Sequence, residues 1–187
     1  MTLLDYQKQF DAILNGENRE YPYDSDAYVG YVKMNRSRID RWNKRGKMLP
    51  SLLEKIRQIE QPQKWLLITE PWCGDAAHSQ SFITKLVEEN PDIELSMQNR
   101  DSSDSEIENY LTNGARSIPM LVVRDANGED LFSWGPRPKE AQDMVMAHKE
   151  NTEMSAQEKQ IELQKWYNKD KGQSMQLELL KLLESHH

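Results

Sequence analysis

Apolar residues recur at three- and four-residue intervals at the start of the chain, where Leu3, Tyr6, Phe10, Ile13 and Leu14 share one helical face. That period predicts a helix over residues 2–16, opened by Thr2 as a cap and stopped by Gly16. After a polar, proline-containing link over 18–24, a second helix is expected from Asp24 or Ser25 past Trp42, with Tyr28, Val29, Val32, Ile39 and Trp42 inward and Gly46 at its end. A third starts near Pro50, carries Leu52, Leu53, Ile56 and Ile59, and breaks at Gln61-Pro62-Gln63. The period then changes. Residues 65–69 form an unbroken apolar run, as in a strand buried on both faces. A helix over about 76–89 follows, then alternating Ile93, Leu95 and Met97 as a second strand, and a short helix over 104–111 closed by Asn113-Gly114. Residues 119–124 and 129–134, joined by Asp125-Ala126-Asn127-Gly128, read as a hairpin. Helical pattern resumes after Pro138 to about His148, again from Ser155 through Ile161, Leu163, Trp166 and Tyr167, and finally after Lys171-Gly172 with Met175, Leu179, Leu182 and Leu183. The order strand, helix, strand, helix, hairpin, helix predicts an α/β fold: a mixed sheet of about four strands flanked by helices, extended by helices at both ends. We divide the chain into an N-terminal helical extension (1–63), a core (64–148) and a C-terminal helical extension (149–187), together one compact unit.

Composition narrows the function classes. The 187 residues contain 24 Lys and Arg against 31 Asp and Glu, a net charge of −7. The single cysteine, Cys73, excludes an intramolecular disulfide, a two-cysteine redox centre and a multi-cysteine zinc site. The first fourteen residues lack a basic leader and include Asp5 and Asp11, so no signal peptide is expected. No apolar run approaches the ~20 residues of a membrane helix, and a cytoplasmic protein is predicted. Residues 33–47 hold seven basic side chains against Asp40 alone. Helical spacing turns Ile39 and Trp42 inward, so this run is read as the solvated face of a docking helix, and no nucleic-acid partner is expected. His186 and His187 are either native or the remnant of a tag and are left out of the site.

Cys73 stands where the apolar strand gives way to a helix, in Glu70-Pro71-Trp72-Cys73-Gly74-Asp75-Ala76. A helix N-terminus stabilises a thiolate through unpaired N–H groups and the positive end of its dipole. Trp72 would shield one side of the sulfur, and Gly74 would let another backbone approach. Asp75 acts in the opposite sense, because a carboxylate so close raises a thiol pKa. Its simpler role, and the one favoured, is to cap the helix by accepting backbone N–H bonds. His78 lies five residues beyond Cys73, about 140° around an ideal helix, so it is expected to be an exposed or partly buried structural histidine. A second feature is Ser117-Ile118-Pro119-Met120 ahead of the hairpin. A proline opening a strand cannot join the ladder, and a cis peptide there would turn the preceding backbone toward a bound chain.

These residues together resemble the thioredoxin family. Trp72-Cys73-Gly74 matches the first three residues of its Trp-Cys-Gly-Pro-Cys signature, and Ile118-Pro119 stands where the family places a cis-proline. The resemblance covers about residues 64–148; the added helices look similar to a helix-extended bacterial branch of thioredoxin-like proteins. It implies thiol–disulfide exchange through Cys73, with Trp72, Gly74, Ile118 and Pro119 framing a substrate groove. The departures are equally informative. Ala76 occupies the position of the resolving cysteine, so any mixed disulfide must be resolved by an outside thiol. Leu67 replaces the buried Asp that dithiol members use as a proton acceptor. A monothiol exchanger is therefore expected, partnered by a protein or low-molecular-weight thiol or disulfide, and needing neither cofactor nor metal. Its alternative is a non-catalytic module that keeps the groove and binds a protein or peptide.

Overall fold

The computed structural model describes residues 1–186, so His187 of the terminal histidine pair lies outside the described residues. Three helices precede the sheet: α1 (Leu3–Leu14), α2 (Asp26–Arg45) and α3 (Pro50–Arg57). Thr2 caps α1 through a reciprocal box with Asp5, satisfying two N–H groups that a helix start leaves unpaired. Gly46 closes α2, and Pro50 occupies the first turn of α3, where its missing N–H costs nothing. Ile59, expected on α3, falls just beyond its end but is buried all the same.

Four strands follow, β1 (Gln63–Thr69), β2 (Ile93–Asn99), β3 (Met120–Arg124) and β4 (Asp130–Trp134), in the order β2-β1-β3-β4. β1 runs parallel to β2 through the crossover helix α4 (Ala76–Glu88) and antiparallel to β3, with Leu67 opposite both Met97 and Leu121. The β3–β4 hairpin is antiparallel. As the sequence of unbroken apolar residues requires, β1 is covered on both faces. Trp65 and Leu67 face a large core shared with α1, α2, α3, α4 and α7 (Gln173–Ser185). Leu66 and Ile68 face a smaller one with Ile107, Ile118, Met120, Val122 and Cys73.

The expected helix over 104–111 shrinks to one 3₁₀ turn, Ile107–Asn109. Only Ile107 of this stretch is fully buried, and the Gln98 side chain holds the loop by donating to Asp104 O and accepting from Glu106 N. One apolar anchor with side-chain-held backbone favours a turn over a helix, which needs a continuous apolar stripe. After β4 come α5 (Lys139–Glu150) and α6 (Ala156–Asp170); Ser155 caps α6 through a box with Glu158, and Lys171 and Gly172, both left-handed, separate it from α7. Of the fifteen residues of α6, Tyr167 alone is fully buried. No described helix is long and apolar enough to cross a membrane.

Candidate functional site

Cys73 sits in the turn between β1 and α4, with its N–H donating to Glu70 O (2.9 Å). The residue is only 5% exposed. Its Sγ lies 3.4 Å from Ile118 O and 3.5 Å from Ala76 N. The first contact is one a thiol can make and a thiolate cannot: S–H donates to a carbonyl, whereas a thiolate and a carbonyl oxygen repel. The Ile118–Pro119 peptide is cis, as expected, and it is this turn that presents Ile118 O to the sulfur. The Tyr21–Pro22 and Gly135–Pro136 bonds are also cis. Gly135 is required by packing, because an added Cβ would stand 2.2 Å from Pro119 O and the backbone has φ +142°.

The contest between helix terminus and Asp75 is settled by a third influence. Burial is the largest cause raising the Cys73 pKa, the Asp75 carboxylate adds to it, and the N–H groups of Ala76 and Asp75 together with Arg137 oppose them; the thiol is pushed up to about 12. In this state Cys73 is protonated at neutral pH.

Asp75 does not cap α4. It occupies the cap position, yet its side chain makes no capping bond and its own backbone is already helical. An extended backbone is what lets a cap side chain reach back to the first turn. Instead the carboxylate turns away from the helix start: Arg137 Nη2 lies 2.6 Å from Oδ2 and Tyr167 Oη donates to Oδ1 at 2.8 Å. Arg137 follows the cis Gly135–Pro136 bond, and Tyr167 comes from α6, 92 residues away in sequence.

His78 is structural, but far more buried than expected, at 3% exposure. Trp42 Nε1–H donates to Nδ1 (3.0 Å), so the ring is the neutral Nε2–H tautomer, and Nε2 then donates to Gln164 Oε1 (2.8 Å). The ring stacks on Tyr167 with centroids 4.2 Å apart. Burial holds its pKa down to about 4. His78 therefore does not pair with Cys73; it forms with Tyr167 and Gln164 the seat on which α6 rests.

Trp72, half-buried beside Cys73, is packed edge-on by Tyr28 and covered by the Arg100 guanidinium, 4.7 Å from a ring centroid. Gly74 admits a side chain rather than a backbone, since an added Cβ would meet Arg38 Nη1 at 3.3 Å. Arg38 in turn donates to Asn35 Oδ1 (2.8 Å), and Arg41 lies over Trp42 and donates to Asn168 of α6. The basic run is thus only partly a solvated face: Lys33, Lys44, Arg45 and Lys47 are exposed, whereas Arg38 and Arg41 fold against the site and α6. Ala76 and Leu67 are buried. Glu70, which the sequence reading left without a role, is also buried; its carboxylate accepts Asp101 N–H (3.1 Å) and faces Tyr23 Oη (3.5 Å), and burial raises its pKa.

A cleft of about 820 Å³ opens at Cys73, bounded by Trp72, Ile118, Arg100, Arg116 and Arg137. A second, of about 460 Å³, lies between α5 and α6 and shares Gly74, Asp75, Arg137 and Gln160 with the first. Arg100, Arg116 and Arg137 had no signal in the sequence, since nothing local marks a long side chain that reaches the site from a distant loop, and Tyr167 is legible there only as a packing position of its helix. Among the described residues no cluster of His, Cys, Asp and Glu could hold a metal ion.

Comparison with known proteins agrees with this arrangement. The sequence pattern of a family described as Thioredoxin matches residues 22–156, which adds α2 and α3 to the stretch recognisable from motifs. Two solved structures superpose on nearly the whole chain: an HIV epitope-scaffold (TM-score 0.57, 18% identity, 97% of this chain and 99% of that one) and a Pseudomonas aeruginosa protein of unknown function (0.57, 18%, 97% and 98%). At that identity they share the fold alone. No curated protein matches the chain.

Proposed function

We propose that this chain, which belongs to the thioredoxin family, exchanges thiols and disulfides through Cys73 as a monothiol, with an outside thiol completing the cycle. The observation carrying this reading is the Sγ of the sole cysteine at the mouth of a cleft, against the carbonyl that precedes a cis-proline. In the reaction the Cys73 thiolate attacks one sulfur of R–S–S–R′, forming Cys73–S–S–R and expelling R′–S⁻, which takes up the proton that Cys73 gave away. A second thiolate then attacks the R sulfur, releasing Cys73 and a disulfide of the two outside groups. Ala76 at the resolving position leaves no internal route.

The resting thiol is protonated and hydrogen-bonded, so exchange depends on substrate binding. An extended segment whose N–H takes Ile118 O displaces the S–H and frees the sulfur, and this is strand addition applied at a sheet margin. A second reading is favoured by the same burial and by Asp75: a groove that binds a protein or peptide with its chemistry silenced. The two part on one experiment. Incubation with a disulfide and a reporter thiol should give a Cys73 mixed disulfide by mass spectrometry and turnover that Cys73→Ser abolishes. Turnover unchanged in Cys73→Ser would end the exchange reading. A partner captured equally by wild type and Cys73→Ala, without adduct, would establish the binding module.

A further inference from the structure

The two clefts that meet at Gly74 and Asp75 have a charge opposite to that of the chain. Arg100 and Arg116 line the Cys73 lobe, Lys149 and Lys159 line the lobe between α5 and α6, and Arg137 stands on the wall common to both. Five cations therefore face one carboxylate, that of Asp75, a net +4 in a protein whose sum is −7. Asp101 and Glu108, which do not line the cleft, pair with Arg100 (2.7 Å) and Arg116 (3.2 Å), and Asp101 also reaches Arg116 at 3.6 Å. The Arg116 pairs are exposed and of the weak, readily exchanged kind, whereas Arg100 is held to Asp101 by two bonds. Lys149 and Lys159 have no ion partner among the described residues, so their charge is not offset within the lobe they line. Charge gathered in a concave, low-dielectric wall focuses its field on what enters.

We infer that the cleft is built for a small disulfide bearing carboxylates, its sulfurs against Trp72 at Cys73 and its anionic ends held by Arg116 on one side and by Lys149 and Lys159 on the other. The size fits a low-molecular-weight disulfide, since a lobe of about 820 Å³ lined by Cys73 meets one of about 460 Å³ at Gly74 and Asp75, the residues that follow the cysteine. Protein segments with basic flanks are disfavoured by the same field. The reaction rests on the exchange reading above, whereas the anion binding does not, and this separates the two in experiment.

The test uses three disulfides of similar size and different charge: 3,3′-dithiodipropionate (anionic), 2-hydroxyethyl disulfide (neutral) and cystamine (cationic). Titrated calorimetrically into the Cys73→Ser protein, which cannot react, the dianion should bind saturably and at least about tenfold more tightly than cystamine at low salt. The preference should shrink toward unity in ~0.5 M salt, where the Debye length falls to a few ångströms. Arg116→Ser with Lys159→Ser should abolish it, and Arg116→Lys with Lys159→Arg should keep it. Absence of dianion binding, equal or tighter binding of cystamine, or a preference indifferent to the charge-removing pair would overturn the inference. In the wild type, selective dianion binding without any mixed disulfide would sink the exchange reading and leave this one standing. Equal exchange with all three compounds, without selective binding, would do the reverse.

Discussion

Asp75→Asn tests how the thiol is restrained. The carboxylate is two residues from Cys73, and after burial it is the largest influence raising the thiol pKa. Two unit charges on the order of 7 Å apart in an effective dielectric of about 20 interact by about 2.4 kcal/mol, or between about 1.5 and 2 pKa units, which sets the scale for a carboxylate two residues away. Arg137 also lowers the thiol pKa, so with the carboxylate gone every remaining charge effect acts in the same downward direction. Burial persists. The midpoint is therefore expected to move from about 12 in the wild type to about 10, still above the ~8.5 of a free thiol. Because Cys73 is the only cysteine, a cysteine Cβ label gives one signal whose shift follows ionisation directly. Between pH 8 and 11 the wild type should hold the thiol position and the variant should cross to the thiolate position. This readout is preferable to alkylation rate alone, since transient opening alkylates a buried thiol with the midpoint of a free one. The variant keeps an oxygen for Tyr167 Oη and loses the Arg137 ion pair, so urea unfolding should register a loss of stability alongside. A midpoint within about half a unit of the wild type, or above it, would refute the electrostatic account of Asp75.

Three further expectations concern the frame of the site. His78 has a folded pKa depressed to about 4 against about 6.5 unfolded; its contribution is complete above pH 6.5 and is lost as pH falls toward 4, at about 1.4 kcal/mol per unit and about 3 kcal/mol in all. Urea midpoints from pH 8 to 4 should show this decline, and a His78→Gln variant with the same slope between pH 6.5 and 5 would contradict it. Gly135→Ala, whose Cβ would lie 2.2 Å from Pro119 O, should cost about 2–4 kcal/mol. Gly128→Ala, also at positive φ but in open space, should cost only about 1 kcal/mol, and equal losses in thermal unfolding would discount the clash. Asn90 donates from Nδ2 to Ile56 O and Ile59 O, closing the end of α3, and its Oδ1 accepts Asp92 N–H; Ile56 O keeps the Ile59 N–H in Asn90→Ala, so the variant loses the bonds to Ile59 O and Asp92 N–H and should cost about 1–3 kcal/mol in chemical denaturation, and a loss below ~0.5 kcal/mol would show that solvent replaces them.

What could be read from the sequence divides along the range of the forces involved. Thr2, Ser155, Gly46 and Lys171-Gly172 mark helix ends because caps and left-handed turns are local requirements. Residues 65–69 announce a central strand because both faces must be apolar. Cys73 and Pro119, 46 residues apart, were recognisable together through a family motif, although their spatial contact runs through Ile118 O. The 104–111 stretch misled because its polar residues suit a helix and a turn equally, and one buried side chain, Ile107, decided for the turn. Asp75 misled for a different reason. Its type and place are those of a cap, and only the arrival of Arg137 and Tyr167 makes an ion-paired carboxylate turned away from the helix start the better arrangement.

Asp75 also joins the C-terminal helices to the segment that carries the thiol. α6 is polar, with one fully buried residue, and its anchors are the Tyr167 contact to Asp75, the Gln164 bond to His78, the Tyr167 stack on the same ring and the Asn168 bond to Arg41. Two of these four contacts end on His78 and one on Asp75, both in the first turn of α4 or beside it, so the helix beyond the family core is held by the segment that carries the thiol. The same carboxylate thus has two effects with one cause: burying a charge requires partners, these are Arg137 and Tyr167 of α6, and the charge they stabilise adds to the burial that raises the Cys73 pKa. Neutralising Asp75 should weaken the seat of α6 and lower the thiol pKa together, which makes docking of the helix and restraint of the cysteine expressions of one interaction.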